Sequence, residues 1–244
     1  MESTLDKIVV KDAQAFREMP REYQDLVIHQ LRSHTEGELA GADNYVKVFY
    51  DMSPNAYEKQ VCCERAGEEV DHYMKGARIL SDLGVNTDFM LSQTIQERLY
   101  WRTEGVREVR NWAERAIFSW LGESAVLDPI REMGESSYRP IAEMIPPVIQ
   151  DELTHVAHGY RIVKELIRTP AGKAEIQEAV DRQWPVILDV FGRSDSARSK
   201  RYLRWGLRVY SNGEARQRWM ATTKPKLEAI GLTVPDNLKN RKFL

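Results

Sequence analysis

The sequence predicts an all-α protein: a bundle of long helices followed by shorter C-terminal ones. Three observations carry this. Apolar residues recur every three or four positions over long stretches, which is the spacing of one helix face. Alternating runs of β-branched residues are missing, and so is an Asn-Gly or Asp-Gly hairpin between such runs. Helix punctuation falls between the periodic stretches.

Taken in order, the periodicity places helices at about 20–51, 55–84, 88–134 (with a break), 138–168, 172–192, 196–210 and 213–230. Ser53-Pro54 is expected to open the second, with proline in its first turn. Gly84 after Leu83 reads as the glycine that ends it. Thr169-Pro170 closes the fourth, and Gly192 to Ser196 separates two later ones. Pro129 and the pair Pro146-Pro147 fall inside helical stretches and are expected to kink or interrupt them. No linker or composition shift divides the chain, so 1–244 is read as one domain, with a bundle core over about 20–168 and a helical extension over about 172–244.

Composition narrows the function classes. Of 244 residues 42% are hydrophobic and 30% charged, an ordinary globular balance, and the net charge of -2 gives no bulk attraction to nucleic acid or an anionic membrane. No stretch approaches the apolar length of a spanning helix, and the start has no signal-peptide run. The only cysteines, Cys62 and Cys63, are adjacent, too few for a structural zinc site or an iron–sulfur cluster. A cytoplasmic, reduced setting is the expectation.

The chemistry is carried by histidines. There are five, and two of them follow a glutamate by three positions, in Glu69-Val-Asp-His72 and Glu152-Leu-Thr-His155. Residues at i and i+3 share a helix face, so a carboxylate and an imidazole can hold one metal ion. Carboxylate-bridged di-iron bundles take such a pair from each of two helices and one acidic residue from each of the other two. Glu38 lies 31 residues before Glu69, and Glu123 lies 29 before Glu152, each enough for a helix, a turn and an antiparallel return.

Phase supports the set. Leu31, Glu38, Tyr45 and Phe49 form one stripe; Cys62, Glu69, His72, Gly76, Ile79 and Leu83 form a second. Ala116, Trp120, Glu123, Leu127 and Ile130 form the third, and Ile145, Val148, Glu152, His155, Gly159, Ile162 and Leu166 the fourth. Each candidate ligand thus sits on an apolar or small-residue face, where an isolated carboxylate has to neutralise or find a partner. Four facing carboxylates raise one another's pKa, whereas two divalent ions would balance them, with His72 and His155 neutral. Oxygen and imidazole ligands suit iron or manganese better than copper. Glu36 falls to one side of the first stripe. Glu68 and Asp151 adjoin ligands and are expected to hydrogen-bond behind them, and His158 is read as a packed or supporting residue.

These residues resemble a known family, the catalytic di-iron subunit of the bacterial ring 1,2-phenylacetyl-CoA epoxidase of phenylacetate catabolism. The likeness runs from about Tyr23 to Asn237 through GELAG, EEVDH with a later LG, WLGESA, SSYRP and DELTH, and then FGRSDSARS, SNGEARQRW and LTVPD. The tail motifs are unrelated to iron binding, which makes the match specific. The resemblance implies a ferritin-like four-helix bundle with added C-terminal helices, and it sets Glu38, Glu69, His72, Glu123, Glu152 and His155 on the family's metal-ligand positions. Two departures stand out: the family commonly has aspartate where this chain has Glu123, and its members usually continue well past the last residue here.

What the resemblance implies is a monooxygenase. Dioxygen, activated at two irons (a manganese–iron pair staying open), gives one atom to the aromatic ring of an aryl-CoA thioester such as phenylacetyl-CoA and the other to water. The two electrons would come through a separate reductase carrying the NADPH, flavin or iron–sulfur chemistry, since this chain has neither a Gly-x-Gly-x-x-Gly after a strand nor enough cysteines. A related non-catalytic helical subunit is the other implied partner, in an oligomer. The basic segment from Arg193 to Arg208 is read first as a solvated helix face and second as a site for coenzyme A phosphates or a partner. Tyr100, Trp101, Trp112 and Trp120 are read as core or interface. Two other functions stay open: a metal-free structural subunit of such a complex, and a ferritin-like iron store or peroxidase.

Overall fold

The structure, a computed structural model, describes residues 8–98 and 108–235. Its elements are helices. In chain order, α1 is Ala13–Glu18 and α2 spans 21–52, formed by Arg21–Asn44, a π-helical turn Tyr45–Phe49 and Tyr50–Met52. Next come α3, Ala56–Asp82, the short α4, Phe89–Ser92, and a 3-10 turn at Ile95–Glu97. Helix α5 spans 112–133 as Trp112–Ile117, a second π-helical turn Phe118–Gly122 and Glu123–Met133. Helices α6 (Arg139–Leu166), α7 (Pro170–Asp189), α8 (Ala197–Arg204) and α9 (Asn212–Ala229) follow. Among the described residues the nearest thing to a strand is a single bridge between Val10 and Tyr138.

Local chemistry explains the boundaries. The α3 start is set by Asn55, whose side chain accepts from the Glu58 N–H at 3.0 Å. Pro54 therefore lies outside the helix, and the expectation that it occupies the first turn is corrected. The Ser53 hydroxyl turns back instead to the Phe49 carbonyl. Gly84 ends α3 as expected, at φ +77°, a region where a side chain would be strained. Thr169 closes α6 and also caps α7 through the Gly172 N–H, with Pro170 in the first turn. Ser211 and Glu214 form a capping box at α9.

Proline does not break the long helices. Pro129 lies within α5, and Pro146 and Pro147 lie within an unbroken α6. The α6 prolines are exposed, so water can meet the carbonyls that lose an N–H partner. The expected break in 88–134 is present, between α4 and α5; residues 99–107, with Tyr100 and Trp101, lie outside the described ones. Helix α1 is not among the expected helices; Asp12 caps it and the buried Phe16 anchors it.

Helix α2 packs along α3, and α5 along α6; α3 and α6 then meet, giving the four-helix core. The four stripes face inward, and most of their members are buried. One apolar cluster joins α2 and α3 to the end of α5 and the start of α6, through Leu31, Leu80, Ile130 and Ile145. A second joins α5 and α6 to α7 and α9, where Trp184 and Trp219 stack 5.0 Å apart beside Leu121 and Ile162. Trp120 belongs to it, 4.9 Å from Tyr160, and Trp112 packs against it, as core residues should. No helix among the described residues is long and apolar enough to cross a membrane.

Candidate metal centre

The bundle brings the polar residues of the four stripes together at its middle. Glu38 comes from α2, Glu69 and His72 from α3, Glu123 from α5, and Glu152 and His155 from α6, and all six are buried. Donor atoms of Glu38, Glu69, His72 and Glu152 lie within 4.8 Å of one another. His72 Nδ1 is 3.2 Å from Glu38 Oε2 and 3.6 Å from Glu152 Oε1. His155 Nδ1 is 3.6 Å from Glu69 Oε1 and 3.9 Å from Glu152 Oε2. Glu152 thus stands between the two imidazoles. Glu123 and His155 fall outside the tightest group of four but border it.

Each imidazole is held from behind by the opposite helix. Asp151 Oδ2 is 3.1 Å from His72 Nε2, and Glu68 Oε2 is 2.7 Å from His155 Nε2. Both carboxylates immediately precede a Glu of the cluster, so the two halves are built alike. Such contacts fix the ring so that Nδ1 faces inward and raise its basicity toward a cation. His158 is a supporting residue, between Arg115 and Glu58. Glu36 is fully buried, though it does not join the donor group.

Two neighbours go beyond the sequence reading. His34 Nδ1 lies 2.8 Å from Glu38 Oε1, and Tyr45 donates its hydroxyl to Glu123 Oε1 at 2.9 Å. The signal for His34 is its i,i+4 spacing from Glu38; Tyr45 is legible only as part of an apolar stripe. Glycines make the room. A Cβ on Gly41 would come within 2.8 Å of the Glu69 carboxyl, and one on Gly76 within 2.3 Å of the Thr35 hydroxyl.

Without a cation the cluster is electrostatically strained. Burial pushes the Glu69 carboxyl well above the usual range, and Glu152 and Glu38 add to the rise. Burial lifts Glu123 to about 7 against the pull of His155, with Glu152 adding to the rise. For Glu38 burial also acts upward, but His34 and His72 outweigh it and hold that carboxyl low. Burial opposes a charged His72, yet its bonds to Glu152 and Glu38 prevail and lift it to about 10. Two buried atoms, Glu123 Oε2 and His155 Nδ1, have no hydrogen-bond partner, which costs about 1–3 kcal/mol each. Four carboxylates and two inward imidazole nitrogens, two of whose atoms are bare, fit a pair of divalent ions.

A pH dependence follows for the metal-free chain. Glu69, Glu123 and His72 keep protons in the folded state that the unfolded chain releases at lower pH. Stability then falls as pH rises, by about 1.4 kcal/mol per pH unit for each retained proton. His29 and His158, near 4 in the fold, oppose this slope only while the unfolded chain still binds their protons, up to about pH 7.5, and are outweighed by the raised groups. The chelator-stripped protein should therefore lose several degrees in Tm between pH ~6.5 and ~8.5. A flat or rising Tm over that interval would contradict the protonated cluster.

The cluster borders a cavity of about 310 Å³ that Glu38, Glu69, Glu123 and Glu152 help to line. Phe118, Val126, Pro129, Ile130 and Met133 form apolar wall, and His29, Tyr202 and Arg208 also line it. The basic segment is largely tied down within the chain. Arg208 pairs with Glu132 at 2.9 Å, Arg204 with Glu22, and Arg198 with the His29 ring.

A family model for phenylacetic acid catabolic proteins matches residues 6–242. The chain belongs to that family. It is also similar to one subunit of the 1,2-phenylacetyl-CoA epoxidase of Escherichia coli (strain K12), at 25% identity over 224 residues, covering 89% of this chain and 71% of that one. The resemblance carried by GELAG, EEVDH, DELTH and the tail motifs is thereby borne out. Across the family match run both Glu-x-x-His pairs and the helices that carry Glu38 and Glu123.

Proposed function

We propose that this chain is the oxygen-activating subunit of a multicomponent monooxygenase that epoxidises the ring of an aryl-acyl-CoA such as phenylacetyl-CoA. The observation that carries the reading is the buried cluster of Glu38, Glu69, His72 and Glu152, with His155 and Glu123 beside it, in a chain of this family. Two irons are the proposed cofactor, held by those six residues. Bound there, they supply reductive activation of dioxygen for transfer of one oxygen atom.

The chain's own residues set the conditions for that chemistry. Glu152 lies between the two inward imidazole nitrogens and would serve both ions. Glu38 with His72 and Glu123 with His155 would each face one of them. Asp151 and Glu68 hold the histidine rings in the orientation a cation needs. The wall of Phe118, Val126, Ile130 and Met133 is apolar and suits an aromatic group. Its volume, about 310 Å³, is small for a whole coenzyme A, so the nucleotide end is proposed to lie outside.

Electrons are proposed to come from a separate reductase, and a related helical subunit to complete the complex. A purely structural subunit would gain nothing from four buried facing carboxylates, which cost stability without a cation. The test is turnover of phenylacetyl-CoA by the iron-loaded chain with its partner subunit, a reductase and NADPH under ¹⁸O₂. One labelled oxygen atom per product is the expected result. Iron-loaded complex that consumes reductant yet leaves every aryl-CoA unlabelled would overturn the substrate reading.

A further inference from the structure

The two halves of the cluster are alike behind the histidines but unlike at the fourth carboxylate. Glu38, Glu69, His72 and Glu152 converge directly, while Glu123 stands outside that group with one oxygen engaged elsewhere. That oxygen, Oε1, accepts from the Tyr45 hydroxyl at 2.9 Å and from Ser119 Oγ at 3.2 Å. The other, Oε2, is buried and bare, as is His155 Nδ1.

Tyr45 touches both of the residues that stand outside the group of four. Its ring lies edge-on to His155, with centroids 5.7 Å apart and an interplanar angle of 68°. The ring is itself held: Phe49 packs edge-on at 5.3 Å, and the buried Arg115 guanidinium sits 5.8 Å from its centroid. An ionised carboxylate can only accept, so the phenol donates. Glu123 can then keep Oε1 on Tyr45 and offer Oε2 alone to a cation.

We propose that Tyr45 is a positioning residue that fixes Glu123 and His155 for one of two unequal metal positions. The inference rests on the two-metal reading above. At the position served by Glu38 and His72 the donors already converge, and there His34, 2.8 Å from Glu38 Oε1, holds the carboxylate rather than Tyr45. The position served by Glu123 and His155 depends on Tyr45, with Ser119 as the weaker support. The two ions should therefore bind in two steps, one of them sensitive to the phenol.

The experiment is calorimetric titration of chelator-stripped protein with cobalt(II), followed also by visible absorption. The parent chain should take up two ions in two resolved steps. Tyr45→Phe keeps the ring contacts and loses only the hydroxyl; one step should weaken about 10–100-fold while the other holds its affinity. Ser119→Ala, which removes the longer bond, should weaken the same step by less. Two unchanged steps in Tyr45→Phe would overturn the inference, and so would equal weakening of both, the mark of a general loosening. A parent chain that takes up no cobalt would overturn the two-metal reading itself.

Discussion

Glu152→Ala should fold and yet bind almost no metal. Glu152 lies between the two imidazoles, 3.6 Å from His72 Nδ1 and 3.9 Å from His155 Nδ1. Its loss opens both proposed positions at once, whereas loss of Glu38 or Glu123 opens one. The fold should survive because alanine is the best helix former and a repelling buried charge disappears. We expect iron content to fall to a small fraction of the parent's, and oxygenase turnover to fall by more than about 100-fold. Helical content by circular dichroism should stay at the parent's level. Undiminished iron or turnover in this variant would remove Glu152 from the site.

Gly159→Ala is expected to be the most destabilising single-methyl change near the site. The added Cβ would lie 2.4 Å from the Trp120 N, 2.7 Å from the Ser119 carbonyl carbon and 2.8 Å from Ser119 Cβ. Two of these atoms are backbone and cannot swing aside. They belong to the π-helical turn of α5, which ends directly before Glu123. Overpacking of this kind costs about 1–3 kcal/mol, occasionally more, and here should lower Tm by ~5–10 °C. The same push on Ser119 should weaken metal uptake. Gly67→Ala is the control: it is exposed in α3 with nothing within 4 Å of its Cβ, so it should be neutral or slightly stabilising. A Gly159→Ala protein melting within about 1 °C of the parent would show that α6 can shift away from α5 at this point.

The bundle is legible in the sequence because burial imposes a period on each helix. Leu31, Glu38, Tyr45 and Phe49 read as one face, and all four are buried. The two Glu-x-x-His pairs are legible for the same reason. Other features leave weaker marks in the letters. A π-helical turn adds a residue without changing composition, so neither Tyr45–Phe49 nor Phe118–Gly122 can be read, although both adjoin the cluster. Proline reads as a breaker at 146 and 147, but exposure of those positions lets α6 run on. The supporting roles of Asp151 and Glu68 are expected from their places in the chain, while their crossing to the opposite helix's histidine needs the packing of α3 on α6. Glu36 reads as lying to one side, yet its full burial depends on neighbours that its own helix does not reveal.

The measurement closest to the central claim is the iron stoichiometry of chelator-stripped protein, reconstituted anaerobically with ferrous iron and freed of excess metal. About two irons per chain are expected. One iron per chain, or none, would contradict it.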